Sequence, residues 1–142
     1  MEQQTDIEIR IVTAWDEETI ADLYRAGGWW SEEWDPAALA ALIRGSFAFA
    51  VAIDPATDRA VGMGRIISDG VSDGYIQDLV VLPEYRGRGI GSKVVSTLLN
   101  ECTAAGLGWI GLIAEPGTDE FYLPLGFGRL EGYVPMRYYG ER

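Results

Sequence analysis

Histidine is absent from all 142 residues. Its absence removes every proton relay built on imidazole, Ser-His-Asp and Cys-His alike, and every His-ligated metal centre. One cysteine, Cys102, leaves no internal disulfide and no multi-cysteine zinc site, and suits a reducing compartment. Positive charge is scarce: 11 Lys+Arg stand against 22 Asp+Glu, for a net charge of −11. Such a surface repels phosphate backbones and anionic bilayers and attracts cations; the only local basic cluster is Arg86, Arg88 and Lys93. No apolar run approaches the roughly 20 residues of a membrane span. The start, Met1 to Asp6, is polar and acidic rather than leader-like. The expectation is a cytoplasmic protein without a metal, nucleic-acid or membrane partner.

What is present is a globular composition, 48% hydrophobic and 23% charged, in a length that suits one domain over residues 1–142. Ile7 to Val12 alternates like a half-buried strand. Asp16 is a helix N-cap for a run to about Arg25, closed by Gly27-Gly28, and Asp35-Pro36 opens a second helix to about Arg44. Phe47–Ile53 and Ala60–Ser68 read as a β-hairpin about the Asp54-to-Asp58 turn. Tyr75 to Leu82 is the most strand-like stretch, Gly89 to Ala105 an amphipathic helix, Trp109 to Ala114 a strand and Thr118 to Leu125 a short helix. Phe127–Leu130 and Tyr133–Tyr139 read as closing strands. The predicted order, β-α-α-β-β-β-α-β-α-β, is an α+β fold with a mixed, largely antiparallel central sheet flanked by helices.

Between the strand ending at Leu82 and the following helix lies Pro83-Glu84-Tyr85-Arg86-Gly87-Arg88-Gly89-Ile90-Gly91-Ser92-Lys93. Glycines allow a tight turn and close approach, and a helix N-terminus favours an anion, so this is a candidate phosphate cradle. Lys93 follows Ser92 rather than preceding it, which excludes a Walker loop, and neither Gly87 nor Gly89 begins a Gly-x-Gly-x-x-Gly run. What remains, Arg86-x-x-Gly89-x-Gly91, resembles the signature of the GCN5-related N-acetyltransferases. Phe121-Tyr122-Leu123-Pro124-Leu125-Gly126-Phe127 is similar to that family's later Phe-Tyr-x-x-x-Gly-Phe motif. The two motifs span about Tyr75 to Phe127; the amino-terminal third matches in layout only.

The resemblance implies acetyl-CoA as cosubstrate, its pyrophosphate held by the backbone of Arg86, Gly87, Arg88, Gly89, Ile90, Gly91 and Ser92. It implies a pantetheine arm lying along Leu79, Val80 and Val81, where the strand splays from its neighbour Trp109–Ile113. It also assigns Tyr122 as the general acid, which suits a phenol that is protonated at neutral pH. Asp78 is the leading candidate for a base acting through water, with a structural carboxylate the equal alternative; Asp73 and Glu115 are lesser candidates. Pro124 stands where the family usually carries a charged residue, and Glu115 near a usual Asn.

By the same resemblance the acceptor pocket is built by the first two helices and their connection, here Tyr24, Trp29, Trp30, Glu32 and Glu33. Aromatic faces beside carboxylates suit an ammonium group. The expected function is N-acetyl transfer to the primary amine of a small molecule. The alternatives are a catalytically idle acyl-CoA-binding module and a protein or peptide N-acetyltransferase. The aromatic, apolar segment Tyr133, Val134, Met136, Tyr138 and Tyr139 points to a homodimer.

Overall fold

The structure, a computed structural model, describes residues 6–140; Met1 to Thr5, read above as not leader-like, lie outside them. The chain divides into two units, one ending at Leu112 and one beginning at Ile113.

In the first unit Asp16 caps helix α1 (Glu17–Gly27), its Oδ2 accepting from the Thr19 amide at 3.0 Å and the Thr19 hydroxyl at 2.6 Å. Those bonds hold the Asp16 carboxyl below its ordinary range, the hydroxyl bond contributing most. Gly28, with φ +78°, closes the helix in the left-handed conformation that glycine takes without strain. Asp35 opens the second helical segment by accepting from the Ala37 amide at 3.0 Å; the chain makes a 3₁₀ turn at Pro36–Ala38 and only then becomes α2 (Leu39–Gly45).

The sheet runs in chain order: β1 (Glu8–Ile11), β2 (Ala48–Asp54), β3 (Arg59–Ser68), β4 (Asp73–Val81) and β5 (Trp109–Gly111). The first three pairings are antiparallel and β4–β5 is parallel, so α3 (Ile90–Ala104) is the crossover helix. Every residue of β2 is buried, as suits a strand covered on both faces. Val94, Val95, Leu98 and Cys102 of α3 are fully buried, which makes Cys102 a core residue whose thiol burial pushes up. Side chains of this size stabilise by roughly 1.5–3 kcal/mol each when buried. Strand alternation then sorts the two sides of β3. A Cβ on Gly64 would meet Val94 Cγ1 of α3 at 3.0 Å, whereas the next residue, Arg65, joins a cluster with Tyr24 of α1.

In the second unit α4 (Asp119–Tyr122) continues into a 3₁₀ turn at Leu123–Leu125, matching the predicted short helix. The two closing strands are not formed: 127–140 is irregular and almost wholly exposed, and β5 ends at Gly111 rather than Ala114. A strand needs a ladder partner, and no strand is found among the described residues of this unit. Pro135 lacks an amide donor, and Gly132 turns at φ +82°. Otherwise the predicted order holds, and the α+β class with it.

Candidate active site

The strand β4 stays paired with β3 to its end at Val81 but parts from β5 well before it. Its pairing with β5 covers Asp73↔Trp109, Gly74↔Ile110 and Tyr75↔Gly111 and stops there. From Ile76 to Val81 the β4 edge toward β5 has no ladder partner among the described residues, which suits the backbone around Leu79, Val80 and Val81 to a ligand, the Val81 carbonyl alone being engaged by Arg86. The other edge carries a bulge. Met63 pairs with Val80 but Arg65 with Gln77, which leaves Asp78 and Leu79 opposite Gly64, and Asp78 has φ +61°.

After β4, a 3₁₀ turn at Pro83–Tyr85 leads into the glycine turn. Gly87 and Gly89 have φ +80° and +77°, and a Cβ on either would meet nothing within 4 Å. Open space there means that backbone conformation, not crowding, is what calls for glycine. Gly89 is also the N-cap of the 15-residue α3 and supplies no side-chain cap bond. The amides of the first turn thus present their donors, and the positive end of the helix dipole, beside Arg86 and Arg88. Ile90 differs from its neighbours: its side chain is 2% exposed and anchors the turn in the core.

Both arginines are tethered. Arg86 Nε donates to the Val81 carbonyl at 2.9 Å; Arg88 lies 5.1 Å from the centre of the Tyr85 ring and donates to the Glu84 carbonyl at 3.3 Å. Tyr85 is itself pinned, its hydroxyl donating to Asp54 Oδ2 at 2.6 Å, while Asp54 Oδ1 accepts from the Ala56 amide at 2.9 Å. The Tyr85 bond is the main cause that holds the Asp54 carboxyl below its usual range, and it raises the Tyr85 phenol in return. This brace from the end of β2 to the cradle was missed in the sequence, because 31 positions separate its partners and neither belongs to a spacing motif.

Asp78 is a shared acceptor. Its Oδ2 accepts from Tyr24 Oη and from Arg65 Nε, both at 2.7 Å. Arg65 also lies 3.5 Å from Ser46 Oγ and 3.4 Å from Gln77 Oε1. Tyr24 is 6% exposed, and its phenol is raised first by burial and then by the Asp78 charge, so it is a lasting donor. Of the lesser base candidates, Asp73 is exposed at the start of β4.

Tyr24 also edges the aromatic group expected for the acceptor. Its ring centroid lies 6.3 Å from that of Trp29 and 6.4 Å from that of Trp30, and Trp30 is 5.4 Å from Trp34. The Trp30 indole Nε1 is buried without a hydrogen-bond acceptor among the described residues. The two acids of the connection differ. Glu32 is held by Arg25 through two bonds, 2.9 and 3.0 Å, which lower its carboxyl, while Arg25 also pairs with Asp22 and lies 5.7 Å from the Trp30 ring centre. An amine meeting Glu32 has to displace a guanidinium; Glu33 is simply exposed.

In the second unit Tyr122 sits at the end of α4, its ring edge-on to Phe121 at 4.9 Å and Phe127 at 5.7 Å. Burial raises its phenol above the usual value, and the charge of Glu115 adds to the effect. Arg129 Nε donates to Asp119 Oδ2 at 2.7 Å and ties the segment after Phe127 back to α4. Among the described residues no group of three or more acidic or cysteine side chains is placed to hold a metal ion.

The chain is similar to known proteins in sequence and fold. The sequence model of the Acetyltransferase (GNAT) family matches residues 12–127. A GNAT-family acetyltransferase from Streptococcus pneumoniae superposes with a TM-score of 0.77 at 27% identity, over 96% of this chain and 100% of that one. Serotonin N-acetyltransferase 2 of Oryza sativa is 38% identical over 69 residues, 49% of this chain and 34% of its own. Histone acetyltransferase TAP1 of Glycine max is 36% identical over 69 residues, 49% of this chain and 30% of its own. This chain thus spans about a third of the length of those two relatives. With a match over 12–127 that takes in the freed strand, the glycine turn and the Tyr122 segment, the chain belongs to the GNAT acetyltransferase family.

Proposed function

We propose that the protein transfers an acetyl group from acetyl-CoA to the primary amine of a small molecule. The observation that carries the reading is the pairing of an uncapped α3 N-terminus behind an open glycine turn with a β4 edge that has left β5. The first suits a pyrophosphate, held by the amides from Gly87 to Ser92 with Arg86 and Arg88 alongside. The second suits an amide-bearing arm along Leu79, Val80 and Val81. Bound acetyl-CoA supplies an acetyl group activated as a thioester.

The remaining chemistry belongs to the chain. The amine forms a bond to the acetyl carbon as the carbon–sulfur bond breaks; the amine gives up a proton and the sulfur gains one. Tyr122, its phenol kept protonated by burial, is the proposed donor to sulfur. Asp78 is the proposed acceptor of the amine proton through water, using Oδ1, since Oδ2 already serves Tyr24 and Arg65. A backbone N–H at the bulge, near Val80, is the proposed donor to the thioester oxygen.

A small cationic acceptor is favoured by the net charge of −11 and by the aromatic group Tyr24, Trp29 and Trp30 with exposed Glu33 close by in sequence. The relatives named above include one titled for serotonin and one for histone, so the test must span both classes. Thiol release from acetyl-CoA, followed over arylalkylamines, polyamines, aminoglycosides, amino acids and basic peptides, is expected to be fastest with a small primary amine. Release with peptides alone contradicts the small-molecule reading.

We also propose a homodimer in which a second copy covers the exposed Tyr133, Val134, Met136, Tyr138 and Tyr139, between 63% and 88% exposed here. Light scattering at tens of micromolar that finds only the monomer removes this proposal.

A further inference from the structure

Asp78 adopts a left-handed backbone that non-glycine residues rarely take, and it does so inside a strand. Such a conformation persists only where its surroundings over-determine it. Here two donors from different elements close on one oxygen: Tyr24 Oη from α1 and Arg65 Nε from β3, each 2.7 Å from Asp78 Oδ2. The Arg65 and Asp78 side chains are 16% and 20% exposed, so this ion pair is mostly shielded from water. The other guanidinium nitrogens of Arg65 lie near Ser46, at the end of α2, and Gln77, the residue before the bulge. Arg65 therefore contacts the bulged residue Asp78 and the one before it, Gln77, where the β3–β4 register slips.

We infer that Arg65, assisted by Tyr24, is a positioning residue for acyl transfer: it acts through Asp78 to hold the β4 bulge, and with it the direction of the Leu79 and Val80 amides. The inference rests on the transferase reading above for its kinetic consequence, but its structural consequence is independent of turnover. Arg65 lies outside both sequence motifs, and the cradle segment 86–91 has its own brace in Tyr85 and Asp54. Loss of Arg65 should thus cost transfer more than acetyl-CoA capture, because the pyrophosphate cradle keeps its brace while the amides along the pantetheine arm shift.

The experiment compares the full chain with Arg65→Gln and Tyr24→Phe. By amide NMR, Arg65→Gln should displace the Leu79 and Val80 resonances and leave Gly87 and Gly89 in place; unmoved bulge resonances overturn the inference whatever the enzyme does. In steady state, kcat should fall by about 10- to 100-fold, the scale of a small misplacement of reacting groups, with KM for acetyl-CoA rising by a clearly smaller factor. Equal losses in both constants, or an unchanged kcat, also overturn it. Should Arg65→Gln fail to fold, Tyr24→Phe removes one donor from the same oxygen and keeps the ring; a kcat equal to the parent's then overturns the inference. Action through Asp78 predicts that Arg65→Gln adds almost nothing to Asp78→Ala, which removes the shared acceptor, whereas multiplying losses contradict it. A wild-type protein that binds no acetyl-CoA defeats the transferase reading, an outcome distinct from all of these.

Discussion

Replacing Gly89 separates the conformational demand of the cradle from its demand for space. Gly89 stands at φ +77° as the N-cap of α3, and a Cβ there would meet no protein atom within 4 Å. Gly89→Ala therefore introduces no clash within the protein, only the penalty of a left-handed alanine, about 1–2 kcal/mol. At roughly 2–4 °C per kcal/mol for a chain near this size, that is a fall in Tm of about 2–8 °C. Gly89→Asn should lose less than half as much, because asparagine enters this region several-fold more readily. If the turn relaxes instead of straining, its amides re-aim, and the same free energy appears as about 5- to 30-fold weaker acetyl-CoA binding. Calorimetric titration with acetyl-CoA alongside thermal unfolding tests this. An alanine variant with both parental Tm and parental acetyl-CoA affinity refutes the backbone argument; one that loses Tm but binds acetyl-CoA as the parent does, with Asn no different, refutes the cradle.

The other predictions concern proton transfer, the brace and the acceptor. Tyr122→Phe should keep acetyl-CoA affinity and lose kcat by roughly 10²–10⁴-fold; since burial raises the phenol, the donor is present below its pKa and lost only as pH rises past the ordinary value near 10. A wild-type alkaline limb at pH 8–9 that vanishes in Tyr122→Phe contradicts this sign. Tyr85→Phe, which removes the bond to Asp54 but keeps the ring under Arg88, should raise KM for acetyl-CoA a few-fold at unchanged kcat; equal constants sever the brace from binding. Glu33→Gln should raise KM for the amine at low salt, an effect that fades over the screening range of about 8–10 Å at physiological ionic strength. Glu32→Gln should do less, because Arg25 already occupies that carboxylate; the reverse order contradicts the acceptor assignment.

Features written in local spacing were legible in the sequence. Asp16 and Asp35 cap because a short acceptor precedes a helical run, the hairpin from β2 to β3 follows its turn residues, and the glycine turn carries its own conformational signature. The site's electrostatic wiring was not legible. Tyr24 reaches Asp78 across 54 positions, and the slip that pairs Arg65 with Gln77 while its guanidinium meets Asp78 is something that alternation alone does not reveal. Glu32 was read as available to an amine because its partner, Arg25, belongs to a different segment of the pattern. The closing strands were read from residue type, and residue type does not supply a ladder partner.

The central claim is tested most directly by measuring acetyl-CoA binding to the wild-type protein and to a Gly89→Val, Gly91→Val double variant that remains folded by circular dichroism. The account predicts saturable binding of acetyl-CoA that raises the Tm of the parent, and no such rise in the double variant. Equal stabilisation of both proteins by acetyl-CoA, or none of the parent, contradicts it.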